Sequence, residues 1–137
     1  MNRKIIFRAK RPDNNDWVYG DLLHPSCVSA GYEIHPYIRD RHACAHEVDK
    51  GTIGQFTGLY DKNGKEIYEG DIVKFPHVGE CTRGIIVWNG KVGAWCIKLK
   101  GENSLGSTPV GEMLSSYKIE VIGNIHDNPE LIKEEQQ

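Results

Sequence analysis

No run of apolar side chains in the 137 residues approaches the roughly 20 that a membrane-crossing helix needs. Near the N-terminus only Ile5-Ile6-Phe7 stands between basic residues, too short for the apolar region of a signal peptide. Both absences place the expected compartment in the cytosol. An excess of one charge is missing as well. Seventeen Lys and Arg face 19 Asp and Glu, a net charge of −2, which lacks the bulk signature of a dedicated duplex-DNA binder. The cysteines, Cys27, Cys44, Cys81 and Cys96, form no CxxC pair, and in a reducing compartment four free thiols are expected. There is no P-loop, GxGxxG, GxSxG or HExxH, so common signatures of nucleotide binding and hydrolysis are absent.

Room for long helices is also lacking. Fifteen glycines are spread along the chain, and the longest stretch without Gly or Pro is Tyr37 to Lys50. Each glycine inside a helix costs about 1 kcal/mol relative to alanine, so short strands joined by turns fit better. Lys4–Lys10 alternates, with Ile5, Phe7 and Ala9 on one face and Lys4, Arg8 and Lys10 on the other. A polar turn, Arg11–Asp16, separates it from a second strand, Trp17–Leu23, and the two form a hairpin. His24–Gly31 reads as loop, and Pro36 confines a strand over Tyr32–Ile38 to a sheet edge. Residues 37–50 fit a short helix or an irregular excursion. Ile53–Tyr60 is a strand, Asn63-Gly64 a tight turn, and Lys65–Tyr68 the return; Ile72–Phe75 is a strand stopped by Pro76. Asp71, at a bend, is expected to bond nearby backbone N–H groups. Asn89-Gly90 as a two-residue turn pairs Trp88 with Lys91, Val87 with Val92 and Ile85 with Ala94, with Gly93 opposite Ile86 marking a bulge. Residues 101–111 read as loop, 113–117 are undefined, and Lys118–Ile125 is the last strand. Asn128-Pro129-Glu130-Leu131 carries the cap, proline and acid of a short helix start.

Three groups of residues carry candidate chemistry. His24, Cys27, His42, Cys44 and His46 could supply a Cys/His zinc site, because alternate residues of one strand converge. Without a CxxC knuckle, a polar excursion is the favoured reading, and no metal or other cofactor is expected. Lys4, Arg8 and Lys10 beside Trp17 could contact single-stranded nucleic acid. A solvated strand face ranks ahead of that reading. Tyr60, Tyr68 and Trp88 flank hairpin turns, where large rings are less often fully buried and protein partners dock. Rings that merely close the ends of a barrel are the competing reading. Cys96, mid-strand between Trp95 and Ile97, is expected to be a buried, inert thiol.

Ile53–Leu59 followed by Asp61-Lys62-Asn63-Gly64-Lys65-Glu66-Ile67-Tyr68-Glu69-Gly70-Asp71-Ile72-Val73 resembles the signature of the YopX family of phage and prophage proteins. Glu120–Leu131 resembles that family's C-terminal motif, and Phe7-Arg8-Ala9 with Trp17–Gly20 its N-terminal hairpin. Residues 25–51 and 101–117 align with nothing in it, and Lys10-Arg11 stands where the family has Trp-Asp. The resemblance implies one mainly β domain over 1–137. Residues 1–51 would form the N-terminal hairpin and a variable excursion. Residues 52–132 would form a small SH3-like barrel and the C-terminal motif with its short helix. It implies a phage-derived protein in the cytoplasm of a bacterial host and no established activity. The expected function is a non-enzymatic module that binds a host or phage protein, with self-association open and a nucleic-acid accessory role second. A metal- or thiol-dependent enzyme ranks last.

Overall fold

The computed structural model describes residues 3–23, 35–77, 79–99 and 108–132. It divides into two compact units, Met1–Phe56 and Thr57–Gln137, and is mainly β.

In the first unit, β1 (Phe7–Lys10) and β2 (Trp17–Leu23) form the expected hairpin, in register from Phe7↔Gly20 to Lys10↔Trp17. Arg11 N–H donates to the Asp16 carbonyl at 2.9 Å to close its loop. β3 (Tyr37–Arg39) pairs with β2 and with β4 (Ala45–Glu47); the first residues of β5 (Gly54–Tyr60) pair with β1. Ala9, Ile38 and Val48 make the core, with Phe7, Val18, Leu22 and Ile53 packed against it. Two expectations are corrected. Residues 37–50 form neither a helix nor an irregular excursion, but a strand pair followed by a 3₁₀ turn at Lys50–Thr52. Ala43, at φ 62°, interrupts any helical run there. Nor does Pro36 make β3 an edge: β3 has partners on both sides, and Pro36 precedes it, acting only as acceptor for Val48 N–H at 3.1 Å.

In the second unit, the later residues of β5 lie beside β6 (Glu66–Tyr68), and the Thr57 hydroxyl donates to the Ile67 carbonyl at 2.7 Å. A curled antiparallel sheet, a half-barrel, follows. It contains β7 (Asp71–His77), β8 (Glu80–Asn89), β9 (Ala94–Leu99), β10 (Thr108–Pro109) and β11 (Glu120–Asn124), in the order β10-β9-β8-β7-β11. The core is built from Ile67, Val73, Phe75, Ile86, Ile97, Val110, Ile119 and Val121. Pro76 does not stop β7, which continues to His77 with Pro76 opposite Cys81.

The β8–β9 register differs from the expected one. Trp88 faces Trp95, Val87 faces Cys96 and Asn89 faces Ala94, so the connection is four residues, 90–93, rather than two. Asn89 brackets it, its carbonyl accepting from Gly93 N–H at 2.9 Å and its Oδ1 from Lys91 N–H at 3.0 Å. Gly93, at φ 66°, supplies the left-handed residue and so lies in the turn, not opposite Ile86. The partners shift by four, an even number, so each side chain keeps its face and Ile86 and Ile97 still point into the core.

An α-helix, α1 (Val110–Ser116), occupies the stretch read as loop and undefined chain. Val110, Met113, Leu114 and Tyr117 pack into the core at the i, i+3, i+4, i+7 spacing of one helical face. The expected C-terminal helix is a single 3₁₀ turn, Pro129–Leu131. Asn128 does not cap it; its Oδ1 instead accepts from Asn124 N–H at 3.3 Å. A Cβ on Gly123 would stand 2.5 Å from that oxygen, which explains the glycine.

Asp61 joins the ends of this unit. Its Oδ1 accepts from Asn63 N–H at 2.8 Å and Lys65 N–H at 2.9 Å, and its Oδ2 from Val121 N–H at 3.0 Å. Beside it, Lys62 N–H donates to the Ile119 carbonyl at 2.8 Å. Asp61 is 7% exposed. Burial pushes its carboxyl up, but the three N–H donors and the Lys65 charge outweigh this, holding it below the ordinary 3.8. A folded pKa below the unfolded one means a stabilisation complete above about 3.8 and lost as pH falls through the folded value. Asp61→Asn can keep the turn bonds but sets an amide NH₂ against Val121 N–H. Thermal melts at neutral pH are expected to show a loss of about 1–3 kcal/mol. The difference between variant and wild type should shrink as pH falls below the ordinary carboxylate range.

Candidate functional site

β5 ends at Tyr60 just before the Asp61–Gly64 turn, and its ring is 50% exposed. It borders an open hollow of about 320 Å³ that Lys62, Leu114, Tyr117 and Lys118 also line. Trp88, at the tip of the β8–β9 hairpin, is 46% exposed. Its ring meets Trp95 edge-on, centroids 5.0 Å apart, and Val92 in the same connection is exposed. The inward face of the sheet thus emerges at this tip as an apolar surface. Tyr68 is different and corrects the expectation of exposure: it is 3% exposed. Ile67 beside it is also buried, so both faces of β6 are covered, and Tyr68 N–H donates to Asp71 Oδ2 at 2.7 Å. That bond is the turn chemistry expected of Asp71.

Of the Cys/His candidates, the described ones form no metal-holding group. His24 and Cys27 lie outside the described residues. His42 and Cys44 sit in the β3–β4 turn, and only His46 is in a strand. His46 Nε2 meets Asp40 Oδ2 at 2.9 Å, while Cys44 Sγ faces the His42 carbonyl at 3.8 Å. Asp40 Oδ1 accepts from His42 N–H at 2.9 Å and Cys44 N–H at 3.0 Å. Asp40 is therefore the centre of this cluster, a residue that sequence reasoning missed; the one clue was a short acid preceding a polar turn. The His46 hydrogen bond, then the Cys44 and His42 N–H groups, hold its carboxyl down at about 2. Among the described residues no group of three or more His, Cys, Asp or Glu is placed to hold a metal ion.

The basic strand face is not a free strip either. Lys4 is exposed, but Arg8 is 7% exposed. The Arg8 guanidinium lies over the Trp17 ring at 4.6 Å and the Lys10 ammonium at 5.3 Å. The ring on which a base would stack is engaged by these two cations. Cys96 is fully buried, and burial followed by the Glu112 charge raises its thiol, as an inert core cysteine requires.

The model of the family described as YopX protein matches residues 6–133. This chain belongs to the YopX family. A solved structure similar to this YopX chain is the "Crystal structure of protein EF1440 from Enterococcus faecalis". It is 22% identical, covers 96% of this chain and 100% of its own, and has a TM-score of 0.56, a likeness of fold. No curated protein matches the sequence. Among the described residues, no helix of this YopX chain is long and apolar enough to cross a membrane. The sharpest residues of the family resemblance have structural roles here: Asp61 and Asp71 hold backbone N–H groups, and Gly64 and Gly70 have φ of 79° and 88°.

The Asp40 bonds carry a pH signature. Its folded pKa is depressed, so the turn is held fully above about 3.8 and released as pH falls through about 2. Carboxyl titration by NMR should give a midpoint near 2 for Asp40. In Asp40→Ala, the His42 and Cys44 amides should exchange with solvent much faster than in the wild type at neutral pH.

Proposed function

We propose that this YopX chain is a non-enzymatic binding module of phage or prophage origin that works in the cytoplasm of a bacterial host. In this reading, its second unit is an SH3-like barrel that docks a host or phage protein through Tyr60 and Trp88. The observation that carries the reading is the exposure of Trp88 and Val92 at the hairpin tip, with Trp88 set edge-on against the partly buried Trp95. Large rings at the end of a hairpin supply contact area at low entropic cost, and Trp and Tyr dominate binding hot spots. The nucleic-acid alternative loses support because Arg8 and Lys10 already lie on Trp17.

The test compares three alanine variants, with partner capture from phage-infected cells and self-association by sedimentation as readouts. Tyr60→Ala and Trp88→Ala are expected to weaken capture or self-association, each by about 2 kcal/mol for a hot spot. Their melting temperatures should move little. Tyr68→Ala removes a buried ring and should cost about 3–5 kcal/mol of stability. If Tyr60→Ala and Trp88→Ala lower the melting temperature as much as Tyr68→Ala does, the rings close the barrel and the docking role is lost.

A further inference from the structure

We propose that Asn63 is a site of spontaneous deamidation, which the fold selects over the chain's other Asn-Gly pair, Asn89-Gly90. The reactants are the chain itself and water. The Gly64 amide nitrogen loses its proton to solvent base and attacks Asn63 Cγ. The new C–N bond closes a five-membered succinimide, while the carboxamide C–N bond breaks and ammonia leaves. Water then opens either carbonyl of the ring, giving aspartyl or isoaspartyl at position 63. No oxidant or reductant is involved. Glycine at the attacking position matters because it has no Cβ to crowd the approach.

The two pairs are identical in sequence and differ only in surroundings. Asn63 is exposed at the tip of the Asp61–Lys65 turn, and its carboxamide has no hydrogen bond among the described residues. A Cβ on Gly64 would meet nothing within 4 Å, so the peptide there stands in open space. Asn89 is 8% exposed, its Oδ1 holds Lys91 N–H at 3.0 Å, and its carbonyl holds Gly93 N–H at 2.9 Å. Turning the Asn89 carboxamide toward Gly90 would break a bond that shapes the β8–β9 connection. The Trp88 Nε1 also stands 3.8 Å from where a Gly90 Cβ would be. One contact opposes reaction at Asn63: Gly64 N–H donates to the Asp61 carbonyl at 3.0 Å and must release it first. That bond lies in a turn whose residues 62–65 are exposed, whereas the carboxamide of the buried Asn89 must give up its bond to Lys91 N–H.

The product alters the turn that positions Asp61. An isoaspartyl link adds a backbone carbon between Asn63 N–H and Lys65 N–H, the two donors on Asp61 Oδ1. Either product also places a new negative charge within three residues of Tyr60. The proposal rests on turn geometry alone and stands whether or not Tyr60 docks a partner.

The experiment ages the full chain in mildly alkaline buffer, folded and in denaturant, and follows both sites by peptide mapping with mass spectrometry. In the folded protein, the one-dalton gain is expected at Asn63 ahead of Asn89 by roughly tenfold, the ratio given by about 1.4 kcal/mol of barrier. In denaturant the two sites should approach one rate. Asn63→Gln should abolish the gain at 63 without changing the melting temperature. Asn63 leading Asn89 in the folded protein and not in denaturant supports the proposal. It is overturned if Asn89 reacts as fast as Asn63 in the folded protein, or if Asn63 stays intact while the denatured chain converts. It is also overturned if the lead of Asn63 persists in denaturant.

Discussion

The second unit depends on a buried carboxylate that touches two distant parts of the chain. Asp61 satisfies two N–H groups of its own turn with one oxygen and the Val121 N–H of the last strand with the other. A short acidic side chain suits this role because it brings two acceptors close to the backbone without a long entropic tether. Without it, three N–H groups would need other partners in a region where water has little access. Asp71 repeats the device at the next bend, on Tyr68 N–H. Together they give the residue signature around 61–73 a structural role, holding backbone N–H groups at two successive bends.

The turns show how local chemistry and global register separate. Asn-Gly occurs twice, at 63–64 and 89–90, yet the two connections differ. At the first, Gly64 takes the left-handed conformation. At the second, the asparagine is drawn into the strand as a buried bracket, and Gly93, four residues after it, takes that conformation. A dipeptide sets a bend, while the paired strands on either side decide which residue occupies which position. Because the shift was even, the alternation of Ile86, Trp88, Trp95 and Ile97 read from sequence still matches the inward face.

The candidate surfaces sort by the same logic. Tyr60 and Tyr68 both flank one turn and look equivalent in sequence, yet one is half exposed and the other buried. β6 is covered on both faces, which no alternation within three residues reveals. Arg8 illustrates the converse: a basic residue on the polar side of an alternating strand is buried, with its guanidinium laid over the Trp17 ring, whose π face attracts the cation. Asp40 organises a turn whose histidines and cysteine draw attention first, since the acceptor of several backbone bonds carries no distinctive spacing.

By itself, the sequence determined the strand-rich class, the sites of the bends and most strand faces. These follow from period-two alternation and from the short-range preferences of Gly, Asn and Asp, which act within a few residues. It also held the helical spacing of Val110, Met113, Leu114 and Tyr117, obscured by Gly111 and by a length of only seven residues. Only the tertiary structure decided the β8–β9 register, the strand pair at 37–47, the reach of Asp61 to Val121, and which aromatic rings face solvent. Each of these depends on what a distant segment covers or bonds, and that information appears only when the segments meet.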